Sequence, residues 1–329
     1  MTRPRWILAA AALAAATALT APAAAAAPPD RTGPALPSFD CARKRTTVER
    51  AICNDYDLAD LDLEMAQLYA RVLEATATPA TVRARQREFL ERRGLDENGE
   101  LAESIDHDTL AEVYRQRVYE LRVELQRVDR AERLAVKPGD LSRRCIHVGI
   151  ENCRLESSGV VAGMTPALGP PLVWQIQLPE AEGEFRRGVL ILRKTDGVLR
   201  PFLWNYNVDH PEPPRVVDTP EGPLLVLPGR QGGTSSMNAE MVLRPLEGGW
   251  RDIDIDAWRP AFDKRLPRDL SVVKGVLYDW ATLTARTSLW RDTDANCCPS
   301  GGVATAYLTI ENDRLVLKDV RIGPSPARD

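Results

Sequence analysis

Apolar residues recur at helical spacing through the first third of the chain, then at alternating or short-run spacing through the rest. Val48, Ile52 and Cys53 share one face of a short helix. Thr46 and Glu49 stand before it at the spacing of a capping box, in which the hydroxyl takes one orphan amide and the carboxylate reaches back to another. Asn54 and Asp55 interrupt the pattern, and Asp57 is the expected N-cap of the next helix. Leu58, Leu61, Met65, Leu68, Tyr69 and Val72 continue at helical spacing. Thr78-Pro79 reads as a cap followed by proline at the first helical position, opening a helix that runs to Gly94 as its stop. Beyond a polar stretch at 94–103, Ile105, Leu110, Val113, Tyr114, Val118, Leu121, Leu125 and Val128 mark one more long helix.

The helical period ends at Lys137-Pro138-Gly139-Asp140. From Cys145 onward come short runs such as IHVGI, LVWQIQL, GVLILRK, PLLVLPG, AEMVLRPL and GVATAYLTI, separated by Gly, Pro and Asp turns. Trp258–Leu266 reads as a short helix, and Glu247–Trp250 and Glu311–Arg314 read as hairpin turns. The expected fold class is α+β: an N-terminal antiparallel helical bundle, then a mostly antiparallel β domain shaped as a sandwich or a curved sheet. The expected divisions are a leader at 1–27, a Pro-rich linker at 28–38, a helical domain at 39–136 and a β-rich domain at 143–325.

The leader has Arg3 and Arg5, an Ala-rich apolar run, and small residues suited to cleavage near Ala25–Ala27, the order of a Sec-type signal peptide. A membrane anchor is the alternative, and the weak hydrophobicity of alanine argues against it. The chain is thus expected in the periplasm or outside the cell, with no stable membrane anchor after cleavage. Its length suits two domains. A formal net charge of -4 argues against a nucleic-acid partner. Neither a dinucleotide nor a phosphate-loop glycine pattern occurs, so no cofactor is expected.

Six cysteines, an even number in an exported chain, read as disulfides. Cys41 and Cys53 flank the first short helix closely enough to bridge. Cys145 and Cys153 read as a pair across HVGIEN, leaving the adjacent Cys297 and Cys298 to each other. An alternative, in which Cys297 or Cys298 reaches Cys145 or Cys153, stays open at this level.

The run F-D-C-A, then T-x-x-E-x-A-I-C, then D-x-x-L-A-x-L-D-x-E-x-x-x-L-Y spans Phe39 to Tyr69. This pattern resembles the N-terminal domain of the lysozyme inhibitor LprI-like family, and the likeness extends to about Val136. Cys41, Ala42, Glu49, Ile52, Cys53, Leu58, Leu61, Asp62 and Tyr69 carry it. Where that family has a further cysteine pair, this chain reads Glu91-Arg92-Arg93-Gly94. The resemblance implies binding and inhibition of a cationic, lysozyme-like hydrolase, with Asp55, Asp57, Asp60, Asp62 and Glu64 as candidate contacts. Acids in the first turns of a helix also stabilise its dipole, whatever the protein does.

Two other classes of function compete. One is an envelope module whose β domain binds glycan or another envelope protein; the Gly229–Asn238 loop, GRQGGTSSMN, is its candidate surface. The other is an enzyme. The chain has three histidines, His107, His147 and His210, and no G-x-S-x-G elbow, so the expectation is that it is not one. His147 alternates with Ile146 and Val148 as a half-buried strand residue would. Asp292-x-Asp294-x-Asn296 has the alternation of a calcium loop but lacks its glycine and distal glutamate, so no metal is assigned.

Overall fold

A computed structural model describes residues 36–44, 46–95, 106–180, 187–233, 236–247 and 249–324. The leader read at 1–27 and most of the linker at 28–38 lie outside the described residues.

The helices form where capping and periodicity place them. In α1 (Thr47–Asn54) the Thr46 hydroxyl accepts from the Glu49 amide at 3.1 Å, and the Glu49 carboxylate accepts from the Thr46 amide at 3.0 Å. The next helix, α2 (Tyr56–Ala75), starts earlier than expected. Asp55, not Asp57, is its cap, accepting from the Leu58 amide at 3.0 Å, while Asp57 falls in the first turn. An extended Asp55 suffices to break the chain between the two helices. The third, α3 (Pro79–Arg92), ends on a right-handed Arg93. Gly94 is therefore no left-handed stop. A Cβ there would stand 2.7 Å from a Val48 methyl, so the glycine lets the chain pass close to α1. The long α4 (His107–Arg133) is capped by Asp106, which accepts from the Thr109 amide at 2.8 Å. Ile52, Leu58, Met65, Val72, Leu110 and Tyr114 form the core between these helices.

The strands that follow are antiparallel and nearly sequential. The first sheet is β1 (Cys153–Val160), β2 (Leu172–Pro179), β3 (Arg187–Thr195) and β4 (Val198–Val208), in that order. Next come β5 (His210–Pro211), β6 (Arg215–Thr219), β7 (Gly222–Leu227), β8 (Gly229–Arg230), β9 (Met241–Leu246) and β10 (Gly249–Asp252). Of these, β5 pairs with β8, and the others make a second sheet in the order β6-β7-β9-β10. After α5 (Arg259–Asp263), the third sheet is β11 (Leu277–Asp279), β12 (Thr284–Ser288), β13 (Val303–Glu311) and β14 (Arg314–Gly323).

Two apolar runs explain how the layers stack. In β3, Val189 and Ile191 share a core with Leu225 and Leu243 of the second sheet, while Leu190 and Leu192 face Ala131, Val136 and Ile146. In β7, Leu225 and Leu227 belong to the first of these cores, whereas Leu224 and Val226 join Ala285, Ala304 and Trp258 of the third sheet's side. Because side chains alternate along a strand, a continuous apolar run marks one covered on both faces. The expected sandwich is thus extended to three sheets in succession, with α4 adjoining the first sheet and α3 meeting β10 of the second. All belong to one compact unit, Ala35–Asp329.

IHVGI is not a strand. Ile146 and Val148 are buried, yet the Ile146 amide donates to Gln175 Oε1 at 3.0 Å and its carbonyl accepts from Gln177 Nε2 at 2.9 Å. The two buried glutamines of β2 serve this segment in place of a neighbouring strand. His147, expected half-buried, is consequently exposed. The Glu311–Arg314 hairpin forms with Asn312 at φ 51° and Asp313 at φ 61°, left-handed values that Asn and Asp tolerate. Gly248, in the other expected hairpin, lies outside the described residues.

Candidate binding groove

The structure pairs Cys41 with Cys53, Cys145 with Cys153 and Cys297 with Cys298, and the last pair sits exposed in a loop. The five acids singled out from sequence do not form one face. Asp62 is 1 % exposed and accepts from the Ser38 amide, the Ser38 hydroxyl and the Tyr114 hydroxyl, with Arg93 3.7 Å away. It holds the bundle together and offers nothing to a partner. Asp55 is occupied as a cap and by His107 Nδ1 at 3.1 Å. Burial opposes its ionisation, but these bonds and the histidine's charge hold its carboxyl below the ordinary value. Glu64 pairs with Arg122. Asp57 and Asp60 are exposed near the start of α2.

Other sequence candidates have structural roles. Asp294 closes its own loop, accepting from the Arg291 and Ser300 amides, both at 2.8 Å. Among the described residues no group of His, Cys, Asp and Glu could hold a metal ion. In the Gly-rich loop, Thr234 and Ser235 lie outside the described residues. Its far end is latched: Asn238 accepts from the Val276 amide at 2.7 Å and donates to the Val276 carbonyl at 2.8 Å.

A large concavity lies where the helices meet the β region. Two of the contacts that fasten the helices there stand out. At one, Asp252 of β10 accepts from the Ala80 and Thr81 amides at the start of α3. At the other, the end of α4 packs through Ala131 on Leu190, Leu192 and Leu199. A groove of about 1930 Å³ opens between the faces of α3 and α4 and the residues of the first sheet.

Its walls combine aromatic rings with paired charges. Tyr119 of α4 lines the groove and is 63 % exposed, so its ring is open to a ligand. On the sheet side, Trp204 of β4 donates its indole N–H to Glu124 Oε1 at 2.9 Å. Arg127 takes the other Glu124 oxygen at 3.0 Å and lies over the Tyr206 ring, 5.1 Å from its centroid. Tyr206 is wedged between Gly149 and Gly188, where an added Cβ would come within 2.1 and 2.2 Å of the ring. Arg117 gives Nε and Nη2 to Gln86 Oε1 at 3.1 and 3.0 Å, and Nη1 to Glu120 at 3.0 Å.

Arg85 of α3 also lines this groove, and no described residue accepts a hydrogen bond from it. Burial pulls its guanidinium below the ordinary value; Glu124 opposes that shift, while Arg117 and Arg127 add to it. Arg85, Tyr119, Trp204 and Tyr206 are not among the candidates that the sequence pattern marks. The signal for Arg85 was present: it falls between Val82 and Phe89 on the inward stripe of its helix, where an arginine is out of place.

No protein-family model matches this chain, and no curated protein matches it. The groove's chemistry is therefore the basis for any functional reading.

Proposed function

We propose that this chain is an exported binding protein that takes a saccharide in the groove between α3–α4 and the first sheet. The observation that carries this is an exposed aromatic, Tyr119, lining the same groove as Trp204 amid ion-paired arginines and glutamates. Sugar rings offer C–H faces that pack on aromatic faces, and hydroxyls that exchange hydrogen bonds with fixed charged groups. Three disulfides support an oxidising compartment. Among the described residues, no helix is long and apolar enough to cross a membrane.

The direct test is retention of the full chain on insoluble cell-wall material, with Tyr119→Ala as the variant. Truncating an exposed ring should leave folding intact and weaken retention by roughly fivefold or more, the loss expected of a contact worth about 1 kcal/mol. Equal retention of both proteins, or none of either, counts against the groove.

A second reading, from the resemblance, is inhibition of a lysozyme-like hydrolase through the helices. The exposure of Asp57 and Asp60 favours it, since a cationic partner would be drawn to them. It predicts slower lysis of bacterial cells by lysozyme, relieved by Asp57→Ala with Asp60→Ala. Lysis at the normal rate under saturating protein removes this reading.

A further inference from the structure

The charges around Arg85 do not balance. Arg85, Arg117 and Arg127 face Glu120 and Glu124. Both oxygens of each glutamate are already engaged: Glu124 by Trp204 and Arg127, Glu120 by Arg117 and by Gln116 at 3.2 Å. Arg117 and Arg127 are thus partnered, and Arg85 is the surplus cation. A guanidinium carries five donors, and those of Arg85, half-buried in the groove wall, meet no acceptor among the described residues. Its planar fork fits the paired oxygens of a carboxylate or phosphate.

The charges of the rim are largely balanced: Glu88 pairs with Arg92, Glu112 with Arg115, Glu151 with Arg130 and Arg187 with Glu156. Such a rim has no row of unpaired cations for a densely charged polyanion and suits a ligand with one anionic group among neutral ones.

Resting on the saccharide reading above, we propose that the groove selects saccharides bearing isolated carboxylate groups, and that Arg85 holds the carboxylate. The exposed ring of Tyr119 takes a flanking neutral ring. The shared chemistry is an oxyanion with two equivalent oxygens, so a phosphate must be separated from a sugar carboxylate by experiment.

The test is calorimetric titration of the full chain with three probes. Hyaluronan tetrasaccharide alternates a uronic acid with an N-acetylated sugar, chitotetraose has neutral N-acetylated rings only, and inorganic phosphate has the oxyanion without the sugar. The expected order is hyaluronan tetrasaccharide at least tenfold tighter than chitotetraose, with phosphate a weak competitor. Arg85→Ala should remove that preference, so that the two saccharides bind within about twofold of each other. Arg85→Lys should keep part of it, because the charge remains and the fork does not. If both saccharides bind equally, or Arg85→Ala retains the preference, the anion assignment fails and the saccharide groove stands. If phosphate displaces the tetrasaccharide at equal concentration, Arg85 serves a free oxyanion and the carboxylate assignment fails. If neither saccharide binds, both the assignment and the groove's saccharide role fall together.

Discussion

Asp252, the last residue of β10, accepts a 2.6 Å hydrogen bond from the backbone N–H of Thr81 in the first turn of α3. Its second oxygen accepts from the Ala80 amide at 3.0 Å. A carboxylate on a helix N-terminus satisfies orphan donors and complements the dipole. Here it comes from a distant strand, because Thr78, the residue in the cap position, makes no side-chain capping bond. Asp252→Ala should cost about 1–3 kcal/mol, since two largely buried amides lose their acceptor. Thermal unfolding would check this, and hydrogen exchange should show the first turn of α3 loosened before other helices. An unchanged melting temperature would mean the bonds contribute little.

Asp62 and its neighbours on α2 separate a structural acid from surface ones. Asp62→Ala leaves the Tyr114 hydroxyl without its buried acceptor and Arg93 without the opposite charge it faces, and should cost about 3–5 kcal/mol. Asp57→Ala and Asp60→Ala, at exposed positions, should each stay within about 0.5 kcal/mol of the parent. Chemical denaturation of the three variants distinguishes these roles.

The Cys41–Cys53 bridge closes a short loop, with a sequence separation of 12. By chain-entropy reasoning its removal should cost about 2–4 kcal/mol. The double variant Cys41→Ala with Cys53→Ala should lower the melting temperature, with α1 detaching first. Peptide mapping without reductant should recover the 41–53, 145–153 and 297–298 pairs; any crossed pair contradicts the arrangement.

Glu240 gives the β region a pH dependence. Burial raises its pKa above the ordinary 4.5, against hydrogen bonding from Asn238 and the attraction of Arg230, and its Oε2 has no hydrogen-bond partner. A raised folded-state pKa means that the folded chain holds the proton more tightly than the unfolded chain does. The contribution is fully present below about pH 4.5 and is lost as pH rises through the folded value. Asp252 shifts in the same direction through burial. Glu240→Gln should therefore flatten, without abolishing, the decline in stability from pH 4.5 upward. Denaturation midpoints across that range measure it, and parallel profiles for the two proteins would contradict it.

Local chemistry was legible in the sequence. Thr46 and Glu49 define a helix start by their spacing alone, and GVLIL and PLLVL announce doubly covered strands by their unbroken apolarity. Features depending on remote partners were not. The irregular path of Ile146–Val148 depends on Gln175 and Gln177, and β1, reading CRLESSGV, is a strand only because β2 pairs with it. Asp62 looked like a surface acid until Tyr114 and Ser38 converged on it. The groove was hidden for the same reason: Arg85 and Tyr119 stand on helices, Trp204 and Tyr206 on a later strand, and packing brings them together.

The central claim is that this groove is where the protein binds its ligand. Amide hydrogen exchange of the full chain with and without saturating hyaluronan tetrasaccharide tests it most directly. The account predicts slowed exchange in residues 81–92 of α3, 112–127 of α4 and 204–207 of β4, with little change elsewhere. Protection confined to residues 55–64 or 291–302, or no protection anywhere, would contradict it.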